Sequence, residues 1–395
     1  VKECQVLITA FLTSVCVIQC RQLVSETISG DGEQNFTAIG HKYGHRVDEY
    51  DVVTEDGYIL KLFHIPGDST RPVLLMHGVM DSADTFIIRG RSSLALALAD
   101  RGYDVWSGNS RGNRYSRRHV ALNPDLDKRF WDFSFHETGY YDLPALIDFV
   151  LSNTGQASLS AIGQSQGNTV FYVLGSTRPE YNDKINVMIA ISPVCFLTFP
   201  KPPIRTLITF GPIINKIASD FGQEELFGDK TTLRILSKAI CEQKYIGYKI
   251  CAHGIFFLLG GSDPAEMEPE FFPTVVAHYP TGTSRKNAMH YLQMANTRKF
   301  IQFDYGLPRN LEVYQSSQPA EYDLRSVRMK VAMLYGENDG VCSLEDVRLL
   351  RDSLPNVVEY HLIQHKKFNH VDGVWGRNMR IYLFPVIFDI LEKYT

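Results

Sequence analysis

Gly163-Gln164-Ser165-Gln166-Gly167 has residue types and a spacing that suit nucleophilic chemistry. A short apolar, β-prone run, Ala157 to Ile162, precedes it, and a helix-compatible run, Thr169 to Leu174, follows. A G-x-S-x-G turn between strand and helix lifts a serine hydroxyl to the tip of a sharp bend above a parallel sheet. The bend crowds its neighbours, so the residues two before and two after the serine must be small. Without those flanks the pentapeptide would be a loop with two glycines; with them Ser165 is the expected nucleophile.

A serine hydroxyl needs a base, and the base needs a third group to hold its tautomer. After such a turn the partners follow in the order acid, then histidine. Of the chain's 12 histidines, His361, His365 and His370 fall late enough. His361 lies inside a strand pattern and reads as structural. His370, in Phe368-Asn369-His370-Val371-Asp372, is favoured over His365 by its position before the last helical stretch. Gly336-Glu337-Asn338-Asp339-Gly340 offers the acid, and Asp339 is favoured over Glu337 because it lies deeper in the loop. Two backbone amides should receive the oxyanion: that of Gln166, and that of Val79 in the loop His77-Gly78-Val79. His77 then shapes that loop rather than acting as base.

These residues need a scaffold. Tyr50 to Thr54 and Tyr58 to Ile65 read as strands joined at Glu55-Asp56-Gly57. Pro72 to Met76, Tyr103 to Trp106, residues 158–162 and Val187 to Ser192 read as further strands. Ser92 to Asp100 and Tyr141 to Ser152 read as helices, the latter with Pro144 in its first turn. This alternation predicts an α/β fold with a mostly parallel sheet covered on both faces. From Phe196 to Gln318 the text is aromatic and proline-broken, with helical pieces at Arg234 to Ile240 and Ile255 to Leu259. The rhythm then returns: strand Met329 to Tyr335, helix Ser343 to Ser353, strand Val357 to Ile363, helix Met379 to Lys393. The expected organisation is a core over residues 21–195 and 319–395, interrupted by an insertion over residues 196–318. An insertion there overlies the carboxyl ends of the strands, where such sheets bind ligands.

In a chain of 395 residues a net charge of −4 gives no basic footprint, so nucleic acid is not an expected partner. The uncharged run Cys4 to Gln19 after Lys2 is too short to span a bilayer and suits a secretion signal over residues 1–20. A buried N-terminal helix or a signal anchor is the alternative. Secretion would make Asn35-Phe36-Thr37 an N-glycosylation acceptor at Asn35. Of the seven cysteines, Cys4, Cys16 and Cys20 fall in or at the end of the expected signal; Cys241 and Cys251 are close enough to close a small loop in an oxidising compartment, leaving Cys195 and Cys342 as buried or free thiols. No Cys-x-x-Cys pair or Cys/His cluster points to a metal, and no cofactor is expected.

Longer stretches carry a family resemblance. Tyr50 to Leu60 (YDVVTEDGYIL), Leu74 to Ser82 (LLMHGVMDS), Gly108 to His119 (GNSRGNRYSRRH), Phe130 to Pro144 (FWDFSFHETGYYDLP) and His370 to Gly376 (HVDGVWG) resemble the acid lipase family of gastric and lysosomal lipases and their insect relatives. The resemblance implies an α/β-hydrolase fold with a helical cap and lid, and hydrolysis of neutral lipid esters at an emulsion, micelle or lipoprotein surface. It implies Ser165, Asp339 and His370 as triad, Val79 and Gln166 as oxyanion donors, and a cap disulfide between Cys241 and Cys251. It also implies a secreted or lysosomal destination. Three positions depart from the family pattern: Gln164 stands where a histidine is usual, Gly340 where a large residue is usual, and Gly373 where a phenylalanine is frequent. The two glycines are expected to thin the wall beside the triad. A shorter-chain esterase and a non-catalytic lipid-binding protein are the competing readings.

Overall fold

The structure is a computed structural model and describes residues 32–395. The signal segment expected over residues 1–20 lies outside the described residues. The strands in chain order are β1 (Asp48–Val53), β2 (Ile59–Ile65), β3 (Asp68–Met76), β4 (Tyr103–Gly108), β5 (Leu159–Gln164), β6 (Ile185–Ile191), β7 (Glu225–Leu226), β8 (Thr283–Ser284), β9 (Val331–Tyr335) and β10 (Val357–Leu362). Eight of them form one sheet in the order β1-β2-β4-β3-β5-β6-β9-β10. The β1–β2 and β2–β4 pairs are antiparallel, and all other neighbours are parallel. The β1–β2 hairpin turns at Gly57, whose φ of +94° is open to glycine and costly for other residues.

The helices used below are α1 (Phe36–Lys42), α2 (Leu94–Ala99), α3 (Leu143–Thr154), α4 (Gln166–Thr177), α5 (Pro202–Asp220), α6 (Thr232–Cys241), α7 (Phe272–His278), α8 (Arg285–Thr297), α9 (Leu344–Ser353) and α10 (Phe384–Tyr394). Side chains alternate across a strand, and both faces of this sheet are covered. Val73 and Leu75 of β3, with Ile189 and Ile191 of β6, pack with Leu94 to Leu98 of α2 and Ile387 to Leu391 of α10. Leu74 and Met76, with Met188 and Ala190, pack on the other face with Leu146, Val150, Val170 to Leu174 and Leu350. Burial on both faces is why these strands read as continuous apolar runs.

Two expectations are corrected. The single terminal helix expected over Met379 to Lys393 is split into Met379–Tyr382 and α10, with Pro385 in the first turn of α10. Proline lacks the N–H that a continuous helix needs and clashes with the preceding turn. The region after β6 holds more helix than its prolines suggested, α5 and α8 above all. Pro202 and Pro203 stand in the first turn of α5, where proline is tolerated, and only Pro212 interrupts its interior. Gly211 of α5 lies against Leu292 of α8, and any side chain there would collide with it.

Candidate active site

β5 is buried along its whole length and runs straight into the Ser165 turn. Ser165 has φ 54° and ψ −117°, a conformation costly for a residue with a Cβ. The turn is closed by Ser165 N donating to Ile191 O at 3.2 Å and Asn168 N donating to Ser165 O at 2.9 Å. A Cβ on Gly163 would lie 2.7 Å from the Gly167 carbonyl, and one on Gly167 would collide with the Met76 carbonyl. Both glycines of the pentapeptide are therefore required by neighbouring backbone.

The structure brings Ser165, His370 and Asp339 together. Ser165 Oγ lies 2.8 Å from His370 Nε2, and His370 Nδ1 lies 2.9 Å from Asp339 Oδ2 and 3.1 Å from Oδ1. With Nδ1–H donating to the carboxylate, Nε2 is left to accept the serine proton. Asp339 stands after β9 and His370 after β10, so three strand ends of one sheet meet. Asp339 is fully enclosed, and burial alone would raise its pKa. The charge and hydrogen bond of His370, followed by the bonds from Cys342, bring it below the ordinary carboxyl range. The residues passed over lie elsewhere. Glu337 is exposed, His361 pairs with Glu359 at 2.9 Å, and His365 bonds Asp263.

Several positioning groups were not legible in the sequence. Gly260 O accepts from both Gly340 N and His370 N at 3.0 Å each, so one carbonyl from the segment after β6 holds both the Asp339 loop and the His370 loop. Gln164 Nε2 donates to His370 O at 3.0 Å. Asn287 of α8 donates to Gln166 Oε1 at 2.8 Å while its own oxygen accepts from Phe135 N. Cys342, read only as a buried or free thiol, places Sγ 3.0 Å from Asp339 Oδ2, and its backbone N–H donates to Oδ1 at 2.9 Å. Its position three residues after the acid was the available signal.

The expected thinning of the wall at Gly340 and Gly373 is not found. A Cβ on Gly340 would collide with the Leu259 carbonyl, and one on Gly373 with Ile191 Cγ2. The room left by the absent side chains is filled by main chain and by a core isoleucine.

Val79 and Gly78 line a cavity of about 420 Å³ together with Ser165 and His370. Its walls are apolar and include Leu207, Phe256, Leu259, Tyr279, Val374 and Trp375. Gln166 opens α4, and its N–H is at the helix N-terminus, where backbone donors and the helix dipole favour negative charge. His77 is buried, and burial lowers its pKa to about 4. Its Nδ1 bonds Gly78 O at 2.8 Å and its Nε2 accepts from Ser110 N at 3.0 Å, so it braces the Val79 loop. Asp81, beside that loop, is pushed up to about 8 by burial. Cys241 and Cys251 are joined by a disulfide, and Cys195 and Cys342 are buried free thiols. Asn35 is exposed and caps α1, its Oδ1 accepting from Ala38 N at 2.9 Å, which leaves its Nδ2 unused by the cap.

Comparison with known proteins adds a family. Residues 36–90 match the partial alpha/beta-hydrolase lipase region, and residues 71–231 match the alpha/beta hydrolase fold. Lipase 1 of Drosophila melanogaster is 36% identical over 375 residues, covering 94% of this chain and 83% of its own length. Gastric triacylglycerol lipase of Rattus norvegicus is 34% identical over 359 residues, covering 88% of each chain. Among solved structures, that of a membrane phospholipase A, a bacterial virulence factor, superposes with a TM-score of 0.51 at 13% identity, over 98% of this chain and 97% of that one. At that identity it speaks for the fold alone. With the fold, the serine turn and relatives above one-third identity in agreement, the chain belongs to the acid lipase family of α/β-hydrolases.

Proposed function

We propose that this protein hydrolyses carboxylic esters of neutral lipids, triacylglycerols first and cholesteryl esters second, through an acyl-serine intermediate. The observation that carries the reading is the hydrogen-bonded chain Ser165–His370–Asp339 opening into an apolar cavity of about 420 Å³. Ser165 Oγ attacks the ester carbonyl as His370 Nε2 takes its proton. Asp339 stabilises the imidazolium, and the amides of Val79 and Gln166 receive the oxyanion. His370 returns the proton to the leaving alcohol, and water then releases the fatty acid by the same steps. The acyl chain occupies the apolar cavity.

The segment over residues 196–318 acts as the cap and lid in this proposal. The chain's departure from the sheet after β6 and its return at β9 support those bounds. α5 turns Phe210, Ile213, Ile214 and Ile217 to solvent, and α6 does the same with Ile235 and Leu236. Such a face suits contact with an emulsion, micelle or lipoprotein surface. Among the described residues no helix is long and apolar enough to cross a membrane. A secretory destination, lumenal or lysosomal, is supported by the disulfide, the exposed Asn35 sequon and the N-terminal apolar run.

The test is hydrolysis of emulsified trioleoylglycerol, a cholesteryl ester and a short water-soluble ester at about pH 5 and about pH 7, with Ser165→Ala as control. Serine-dependent cleavage of the long-chain esters is expected. Cleavage of the short ester alone would make the protein a carboxylesterase, and no cleavage would leave a lipid-binding protein.

A further inference from the structure

Asp263 lies about 100 positions before His365 and Asp372 in the chain and is adjacent to them in space. One ligand atom from each lies within 4.8 Å of the others. Asp263 comes just after the Gly260 carbonyl that holds both the Asp339 loop and the His370 loop, and His365 and Asp372 flank His370 on the loop after β10. His365 Nε2 is hydrogen-bonded to Asp263 Oδ2, and Asp372 Oδ2 accepts from Asn369 N at 3.0 Å.

The other oxygen of each carboxylate has nothing to bond. Asp263 Oδ1 and Asp372 Oδ1 are enclosed without a hydrogen-bond partner, in residues 0% and 1% exposed. Glu266 nearby is also buried and is met by neutral donors, Asn378 N, Asn378 Nδ2 and Tyr382 Oη, each at 2.8 Å. Three buried carboxylates thus gather around a single imidazole. Enclosed carboxylate oxygens without partners are costly, and buried charges are ordinarily paired or bound to a metal. A cation between the two aspartates would give these enclosed carboxylates a partner.

We propose that Asp263, His365 and Asp372 bind a divalent transition cation, zinc by the donor set, which ties the cap to the loop that carries His370. One imidazole nitrogen and two carboxylate oxygens are ligands zinc accepts, whereas calcium and magnesium favour oxygen alone. Both nitrogens of His370 are engaged with Ser165 and Asp339, so the ion takes no part in the ester chemistry and serves as a clamp. The three ligands come from two separate stretches of the chain, residue 263 and residues 365 and 372.

The test uses the full chain stripped with a chelator and dialysed, then titrated with zinc by calorimetry and with cobalt by visible absorption. The wild type is expected to bind roughly one equivalent of zinc and to melt at a higher temperature with zinc than without. His365→Ala and Asp372→Asn are expected to weaken zinc binding by at least about tenfold. Zinc binding by folded His365→Ala as tight as the wild type's would overturn the site. If neither variant folds, the wild type decides alone: no zinc-dependent rise in melting temperature and no cobalt absorption band overturn it, and both together uphold it.

Discussion

The sheet and helices α5 and α6 of the proposed cap direct their apolar residues oppositely. In β3, β5 and β6 they point into two enclosed layers, and Val73, Leu75, Ile162 and Ile189 are fully buried. In the cap, α5 and the turn after it leave Ile213 59% and Phe221 81% exposed. Core burial stabilises the fold from within. The cap's outward apolar face gains free energy only against a second apolar phase. On the proposed function the same residue types serve stability in one region and substrate contact in the other, and mutations should separate the two roles.

The largest effect is expected at the core's reactive end. Ser165→Ala should lower kcat by about a millionfold on every ester, with melting temperature little changed. Turnover near the wild-type rate would remove the triad from the proposal. Next is the staple between α6 and the segment after it. Cys251→Ser opens a short loop and should destabilise the cap by about 2–3 kcal/mol. Limited proteolysis should then cut the cap first, and a core that unfolds with it would show the two regions to be one cooperative unit. Smaller again is the outward face. Ile213→Asp with Ile217→Asp should slow hydrolysis of emulsified long-chain ester by roughly tenfold, the worth of about one buried aliphatic side chain, and leave a short soluble ester within about twofold. Equal losses on both substrates would sink the surface-contact role.

A further effect concerns pH. Asp81 has a folded pKa of about 8, raised by burial, so the folded state keeps a proton that the unfolded chain releases near pH 4. Its contribution to stability is full below about pH 4 and is lost as pH rises toward about 8. Glu137 behaves oppositely. Burial would raise it, but Lys286 leads the groups that hold it near 2, so its contribution is present above the usual carboxyl pKa and lost as pH falls toward 2. Melting temperature should therefore decline from about pH 5 to about pH 8, and Asp81→Asn should flatten part of that decline. An unchanged slope in Asp81→Asn would assign the decline to other groups.

Local steric rules made much of this protein readable from its residues alone. Gly163 and Gly167 are demanded by contacts within the turn and with the strand beside it, so the pentapeptide announced itself. The doubly buried strands announced themselves as apolar runs, which brought out the α/β order and the positions of Asp339 and His370 after strand ends. Helices α5 and α8 were harder, because α5 faces outward and carries prolines whose tolerance depends on where a helix begins. The tertiary structure alone decided that Gly260 O would hold two loops, that Asn287 would reach Gln166, that Leu259 and Ile191 would fill the space at Gly340 and Gly373, and that Asp263, His365 and Asp372 would converge. Turns and strands are set by neighbours a few residues away. Most of these pairings join residues about 80 to 180 positions apart, and only packing of the whole chain brings them into contact.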